Sequence, residues 1–365
     1  MANIIDYLKW RGDLTFAASP FNEVDNLIFS MLSFIDYSCA VSDSAYAMPV
    51  RLDKCFDENR IKYPNGEKFG QIIPDTTNDL FILSARSQRF REVYVAAYRC
   101  VFDEAEYVQF AAVTFILPDN TIFASFRGTD DTLVGWREDF NLSFSHPVRS
   151  QALAADYLNE VASVYRGNIR TGGHSKGGNL AVYAAAFSSP EVSERVLNAY
   201  SNDGPGFVEE IVNAPEFRRM EKRIITIVPQ SSVIGMLLER GSNLTVVEST
   251  LRNGLLQHDP FSWQVMGREM VHLPTLSPRG KRHDEVFREW LGKMSVEKRR
   301  EFTDILFGAL SSTGAKTVSE LSQDQMPKLV AAVRMLSGLS RDEREVMTEF
   351  IRGLFDAIKK QNYTE

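Results

Sequence analysis

The sequence predicts an α/β fold with a mostly parallel central sheet, followed by a helical C-terminal region. Three observations carry that prediction. Strand-like and helix-like segments alternate between residues 93 and 250. A glycine-flanked serine, "TGGHSKGGNLA" (171–181), stands between a short apolar run and a helix-forming run. After residue 276 the strand signals stop and helical periodicity takes over.

The elements follow in order. "FNEVDNLIFSMLSFIDYS" (21–38) spaces Val24, Leu27, Ile28, Met31, Leu32 and Ile35 by threes and fours, the stripe of an amphipathic helix. Residues 46–75 are polar, rich in turn formers, and read as a long excursion. "TTNDLFILSARSQRF" (76–90) reads as a helix with a polar cap. "VYVAAYRCVFD" (93–103), "VQFAAVTFILPDN" (108–120) and "TIFASFRGT" (121–129) read as strands, with Pro118, Asp119 and Asn120 turning the chain between the last two. "SQALAADYLNEVASV" (150–164) is a helix, "GNIRTGG" (167–173) a strand, and "NLAVYAAAFSS" (179–189) a helix stopped by Pro190. Three further strands lie in "RVLNAYSNDGPGF", "EKRIITIVPQSS" and "NLTVVEST". Strands alternating with helices imply a parallel sheet covered on both faces.

"SPRGKR" (277–282) reads as a basic, flexible linker. Beyond it, "DEVFREWLGKM", "SVEKRREFTDILFGAL", "TVSELSQDQMPKLVAAVRML" and "SRDEREVMTEFIRGLFDAIKK" read as helices. Thr317 with Glu320, and Ser340 with Glu343, form S/T-x-x-E capping boxes. The chain therefore divides into an α/β domain, 1–275, and a helical region, 276–365. The apolar faces of those helices suit a lid or a homo-oligomer interface. No internal repeat or low-complexity tract is visible.

Composition narrows the function classes. Hydrophobic residues make up 44% and aromatics 11% of the 365 residues, which argues against disorder. The formal charge is -7, and no dense Lys/Arg block appears, so a nucleic-acid partner is not expected. "MANIIDYLKWRGD" lacks the basic start and apolar core of a signal peptide. No stretch reaches the roughly 18 apolar residues of a spanning helix. Cys39, Cys55 and Cys100 are odd in number and lack metal-like spacing, which suits buried thiols in a reducing, cytoplasmic compartment.

The serine carries the chemistry. A hydroxyl is a weak nucleophile that needs a base and oxyanion donors. In G-x-S-x-G a sharp strand-to-helix turn exposes the serine, and small flanking residues let the turn approach neighbouring backbone. Gly173 and Gly177 stand at those places around Ser175, and Gly178 gives the helix room on the sheet. The Lys176 N–H, at the helix N-terminus, faces a developing negative charge. A phosphate loop needs G-x-x-x-x-G-K-[ST], which fails here. The alternative is a glycine-rich structural turn.

"GGHSKGGNLA" together with "FASFRGTDDTLVGWREDF" resembles the class 3 (fungal-type) lipases of the α/β-hydrolase fold over roughly residues 25–260. The shared motifs are Phe126–Thr129, Trp136 with Asp139, and Gly173–Gly178. "YLKWRGDLTF", "PFNEVD", "GWREDFN", "SNDGPGF", "VPQSSVIGMLL" and "QHDPFSWQV" resemble, over nearly the full length, a bacterial branch of that superfamily described as a domain of unknown function. The resemblance implies that Thr129 supplies the second oxyanion donor and that residues 130–138 lie where the lipases keep a lid. Trp136 is then a lid or pocket aromatic, or a buried anchor. Asp139 is expected to tie the local turn together.

In this fold the triad partners follow in the order Ser, acid, His. His146 precedes the serine, and His174 lies inside the elbow with its side chain directed away from the hydroxyl. His258 follows the last strand by a short loop and is the candidate base. His272 and His283 lie at or beyond the domain edge. The lipases usually take their acid from the place that reads "PQSSVIG" here, where Ser231 or Ser232 stands instead. Asp203, ending the strand after the elbow helix, is the candidate acid, with Asp259 and no acid at all as alternatives. N-D-G-P is also a strong turn sequence. The expectation is a serine hydrolase acting on a small-molecule or lipid carboxylic ester, with no metal or cofactor. The rival expectation is a degenerate hydrolase serving as a binding or interaction module.

Overall fold

The computed structural model describes residues 2–320, apart from 71, 72, 253, 255, 283, 286–293 and 318. His283, most of "DEVFREWLGKM", and everything expected beyond 320, including the Ser340–Glu343 box, lie outside the described residues.

Alternation along the strands explains how the sheet buries both faces. In β4 (Ile122–Phe126), Ile122, Ala124 and Phe126 join one core cluster, while Phe123 joins the other. The preceding strands are β1 (Val50–Arg51), β2 (Tyr94–Asp103) and β3 (Val108–Ile116). After β4 come β5 (Ile169–His174), β6 (Val196–Asn202), β7 (Ile224–Pro229) and β8 (Leu244–Val247). The short β9 (Val265–Met266), β10 (Glu269–Met270) and β11 (His272–Leu273) complete the described strands. The sheet order is β1-β2-β3-β4-β5-β6-β7-β8-β11, and β9 pairs with β10 separately. Pairings from β4 to β8 are parallel, and the flanking ones are antiparallel. With a strand–serine–helix turn at the centre of the parallel part, this is the α/β-hydrolase fold.

Helices Ile4–Arg11, Glu23–Leu32 and Thr76–Arg86 cover one face, and Arg149–Val164 with Lys176–Phe187 cover the other. Asn22 caps the second of these, its side chain accepting from the N–H groups of Val24 and Asp25. The Pro118–Asn120 turn forms as expected, with Asn120 at φ 62° and its N–H bonded to the Leu117 carbonyl at 3.0 Å.

Two expectations need correction. Residues 46–75 are not a plain excursion, because they hold β1 and a helix, Leu52–Lys62. Its buried stripe is only Leu52, Cys55, Phe56 and Asn59, so six charged positions and an exposed Ile61 mask the period. "SPRGKR" is not a free linker. The Ser277 N–H bonds the Gln230 carbonyl at 2.8 Å, and Leu276 is buried with Val228, Met236 and Val246. The expected helix after residue 294 forms over Val296–Ser312, capped by Ser295. Thr317 accepts from the Glu320 N–H at 3.1 Å, one half of its capping box.

Candidate active site

Ser175 sits between the end of β5 and the first turn of the helix Lys176–Phe187, at φ 59° and ψ -134°. This sparsely populated backbone region projects the side chain off the sheet edge. The flanking glycines are required by space. A Cβ on Gly173 would meet Gly177 backbone at 2.3 Å, and one on Gly177 would meet the Phe126 carbonyl oxygen at 2.0 Å. Gly178 packs on Ser201, where a Cβ would come within 2.8 Å of its hydroxyl. Below the turn, Asn202 donates to the Gly173 carbonyl at 3.1 Å and accepts from Asn26 at 2.8 Å, tying β5 to the helix Glu23–Leu32.

His258 and Asp203 meet. Asp203 Oδ2 accepts from His258 Nδ1–H at 2.7 Å. Asp203 is fully buried and held at φ 50° just past the end of β6. Its other oxygen accepts from the Ser232 hydroxyl at 2.5 Å and from the Gly235 N–H at 3.2 Å. Ser232, at the place where the resemblance expects the acid, therefore holds the candidate acid on the neighbouring strand. A carboxylate partner at Nδ1 sets the tautomer of a neutral imidazole, with the proton on Nδ1 and the lone pair on Nε2. The His258 side chain is 21% exposed, so solvent reaches the ring.

His174, the variable residue of G-x-S-x-G, does something the sequence did not disclose. Its Nε2–H donates to the His258 backbone carbonyl at 2.8 Å, and the two rings lie 4.5 Å apart. Burial pushes its pKa well below the usual histidine range, and the neighbouring His258 charge acts in the same direction. His174 is thus a neutral imidazole that seats the His258 loop against the residue preceding Ser175. Trp263 donates to the Gln257 carbonyl at 2.8 Å, and Gln257 accepts from the Ser231 N–H at 2.8 Å, fixing the same loop from behind. Asp259 bonds the Phe261 N–H instead of the imidazole. His272 pairs with Glu23. The Ser175 hydroxyl makes no hydrogen bond among the described residues, so the serine–histidine link is open in this structure. Such links are often long in unliganded enzymes.

The two expected donors lie at the elbow and beside it. Lys176 is the first residue of its helix, so its N–H has no intrahelical acceptor. A Cβ on Gly128 would meet the His174 carbonyl oxygen at 2.5 Å and Ser175 Cβ at 3.2 Å, which puts the adjoining Thr129 beside the elbow. The Thr129 hydroxyl donates to Asp139 Oδ2 at 2.6 Å. Asp139 thus ties the turn as expected. Its pKa is raised to about 6 by burial, against the opposing pull of Lys176 and the Thr129 hydroxyl. Trp136 is half-buried on the same helix.

The Lys176 side chain was unforeseen. It is fully buried, and Nζ donates to the Gln109 carbonyl at 2.7 Å, to Gln109 Oε1 at 2.7 Å, and to Glu138 Oε2 at 3.0 Å. Glu138, 1% exposed, also accepts from the Gln109 and Ser150 N–H groups at 3.1 Å each. One ion pair therefore joins the elbow helix, β3, the helix Leu133–Asn141 and the helix Arg149–Val164. Removing a single partner from such a buried pair costs about 3–5 kcal/mol. A lysine after the nucleophile gives no sign of this in sequence, because its partner lies 38 residues away.

A model of the Mbeg1-like family matches residues 84–308, more than half of the chain and all the site residues above. No curated protein matches it. Among solved structures, the native Rhizomucor miehei lipase propeptide complex is 16% identical, with 49% of this chain and 70% of that chain covered and a TM-score of 0.35. M37 lipase is 12% identical, with 60% and 70% covered and a TM-score of 0.36. A triacylglycerol lipase from Penicillium expansum is 12% identical, with 49% and 73% covered and a TM-score of 0.30. Among the described residues no helix is long and apolar enough to cross a membrane.

Proposed function

The chain belongs to the Mbeg1-like family, and we propose that it is a serine hydrolase that cleaves carboxylic esters through an acyl-enzyme on Ser175. The observation that carries this reading is the buried Asp203 carboxylate bonded to His258 Nδ1, with that histidine docked on the residue before a strained, half-buried serine.

The chemistry runs from these residues. His258 Nε2 takes the Ser175 proton as Oγ attacks the ester carbonyl. Asp203 holds the tautomer and stabilises the imidazolium. The N–H groups of Lys176 and Thr129 receive the oxyanion. As the intermediate collapses, the C–O bond breaks and His258 returns the proton to the departing alcohol. His258 then draws a proton from water, which attacks the acyl carbonyl. The second intermediate expels Ser175 Oγ, which regains its proton and releases the acid.

The motif resemblance to class 3 lipases supports a lipid or acylglycerol ester as the substrate class. Three free thiols, Cys39, Cys55 and Cys100, support a reducing, cytoplasmic setting. One observation favours the rival reading of a binding module: the Ser175 hydroxyl is not bonded to His258.

Pre-steady-state hydrolysis of p-nitrophenyl butyrate separates the two. A burst of one nitrophenol per protein, with a butyryl adduct by intact mass, is expected. No burst and no turnover in the folded protein would favour the binding module.

A further inference from the structure

The helix Leu133–Asn141 occupies the stretch where the resemblance places a moving lid, yet it is held from both sides. On its inner face, Glu138 receives Lys176, the Gln109 N–H and the Ser150 N–H, and Asp139 receives the Thr129 hydroxyl. On its outer face the segment 294–317 lies across it. Phe140 packs edge-on to Phe307 at 5.5 Å and against Phe302 at 6.2 Å. Arg137 bonds Asp304 at 2.5 Å and lies 3.7 Å over the Tyr107 ring. At its start, the Leu133 N–H bonds the Lys316 carbonyl at 2.9 Å. Past its end, Arg299 donates to the Ser143 carbonyl at 2.7 Å. No residue of the helix falls in the exposed class, whereas a free lid leaves one face to solvent.

We propose that this helix is a fixed wall of the active site, clamped by the segment 294–317, and that ester hydrolysis runs on singly dispersed substrate molecules without activation at a lipid surface. The inference rests on the serine-hydrolase reading. Swinging the helix away would leave the Lys176 ammonium buried without its carboxylate and would strip Thr129 of its partner. Both changes degrade the donor side that the reaction needs. Opening by this helix therefore works against catalysis, and substrate must enter past it. The clamp also gives the segment 294–317 a role, as the outer support of the oxyanion turn.

The test uses the full chain with tributyrin, from well below its solubility limit into the emulsion range, and with dissolved p-nitrophenyl butyrate. The expected rate rises smoothly and saturates, with no step where droplets appear. Phe302→Ala and Asp304→Asn, with melting checked for each, should lower kcat by about tenfold and threefold respectively while KM changes little, as loosened positioning predicts. A step of about tenfold or more at the solubility limit, or variants that gain activity, would overturn the fixed wall and leave the hydrolase reading standing. Absence of hydrolysis at every concentration, together with an unreactive Ser175, would overturn both.

Discussion

On one side of Ser175, the Asp203–His258 arm ends in a partly exposed ring on a short turn, tethered through a backbone carbonyl and a carboxylate. On the other side, Lys176 and Glu138 are sealed inside the protein, and every donor of the lysine ammonium is taken. On the proposed mechanism, the difference follows two jobs. A general base must reach the nucleophile, then the leaving group, then water, so its ring needs solvent access and a little freedom. Oxyanion donors act only where charge develops, and their value lies in being fixed beforehand. A solvent-reached arm and a sealed arm around one serine suit the proposed acyl transfer.

Substitutions can break that comparison, beginning with the largest effect. Asp203→Asn should lower kcat by about 10⁴-fold through the wrong histidine tautomer, with the melting temperature little changed. Steady-state kinetics beside a melt checks both. If activity survived, the His258 arm would not work as described. Lys176→Ala should act on the other side as a stability mutant, since it strands Glu138. A loss of about 3–5 kcal/mol is expected, visible as a melting point lowered by roughly 10 °C. Lys176→Met combined with Glu138→Leu should recover most of it, because the apolar pair leaves no buried charge. Failure to recover would mean the sealed arm is held by something other than an ion pair.

Smaller effects sharpen the contrast. His174→Phe keeps a ring under His258 but removes the donor to its carbonyl. A loss of about 10–100-fold in kcat is expected, with KM nearly unchanged and the acidic limb of the pH–rate profile altered. An unchanged profile would reduce His174 to packing. Asp139 gives the smallest effect. Its pKa is raised to about 6, so its contribution to stability is present below the ordinary carboxylate range and lost as pH rises through 6. Asp139→Asn should therefore gain in melting temperature relative to the parent between pH 4 and pH 8. A constant difference across that range would contradict the burial argument.

Local pattern made much of this legible. The Pro118–Asn120 turn, the strand–serine–helix order and the ends of β6 and β8 are written in short stretches. Those stretches placed Ser175, Asp203 and His258 on one edge of the sheet. What stayed hidden depends on partners far apart in sequence. Glu138 reads as one more charge in "GWREDFN" until the fold brings Lys176 to it. His174 looks like filler until its ring meets a carbonyl 84 residues away. Ser232 looked like a lost acid, and only the structure shows it bonded to Asp203, the candidate acid on the neighbouring strand. The helix Leu52–Lys62 was missed for another reason, since its buried stripe is too short to stand out among its charges.

The most direct test of the central claim, that Ser175 is activated by the Asp203–His258 pair, is labelling by a fluorophosphonate probe. Native protein is compared with Ser175→Ala, His258→Ala and Asp203→Asn, all shown to be folded. The account predicts stoichiometric labelling of the native chain, none of Ser175→Ala, and sharply slowed labelling of the other two. Native protein that stays unlabelled, or labelling that survives in Ser175→Ala, would contradict it.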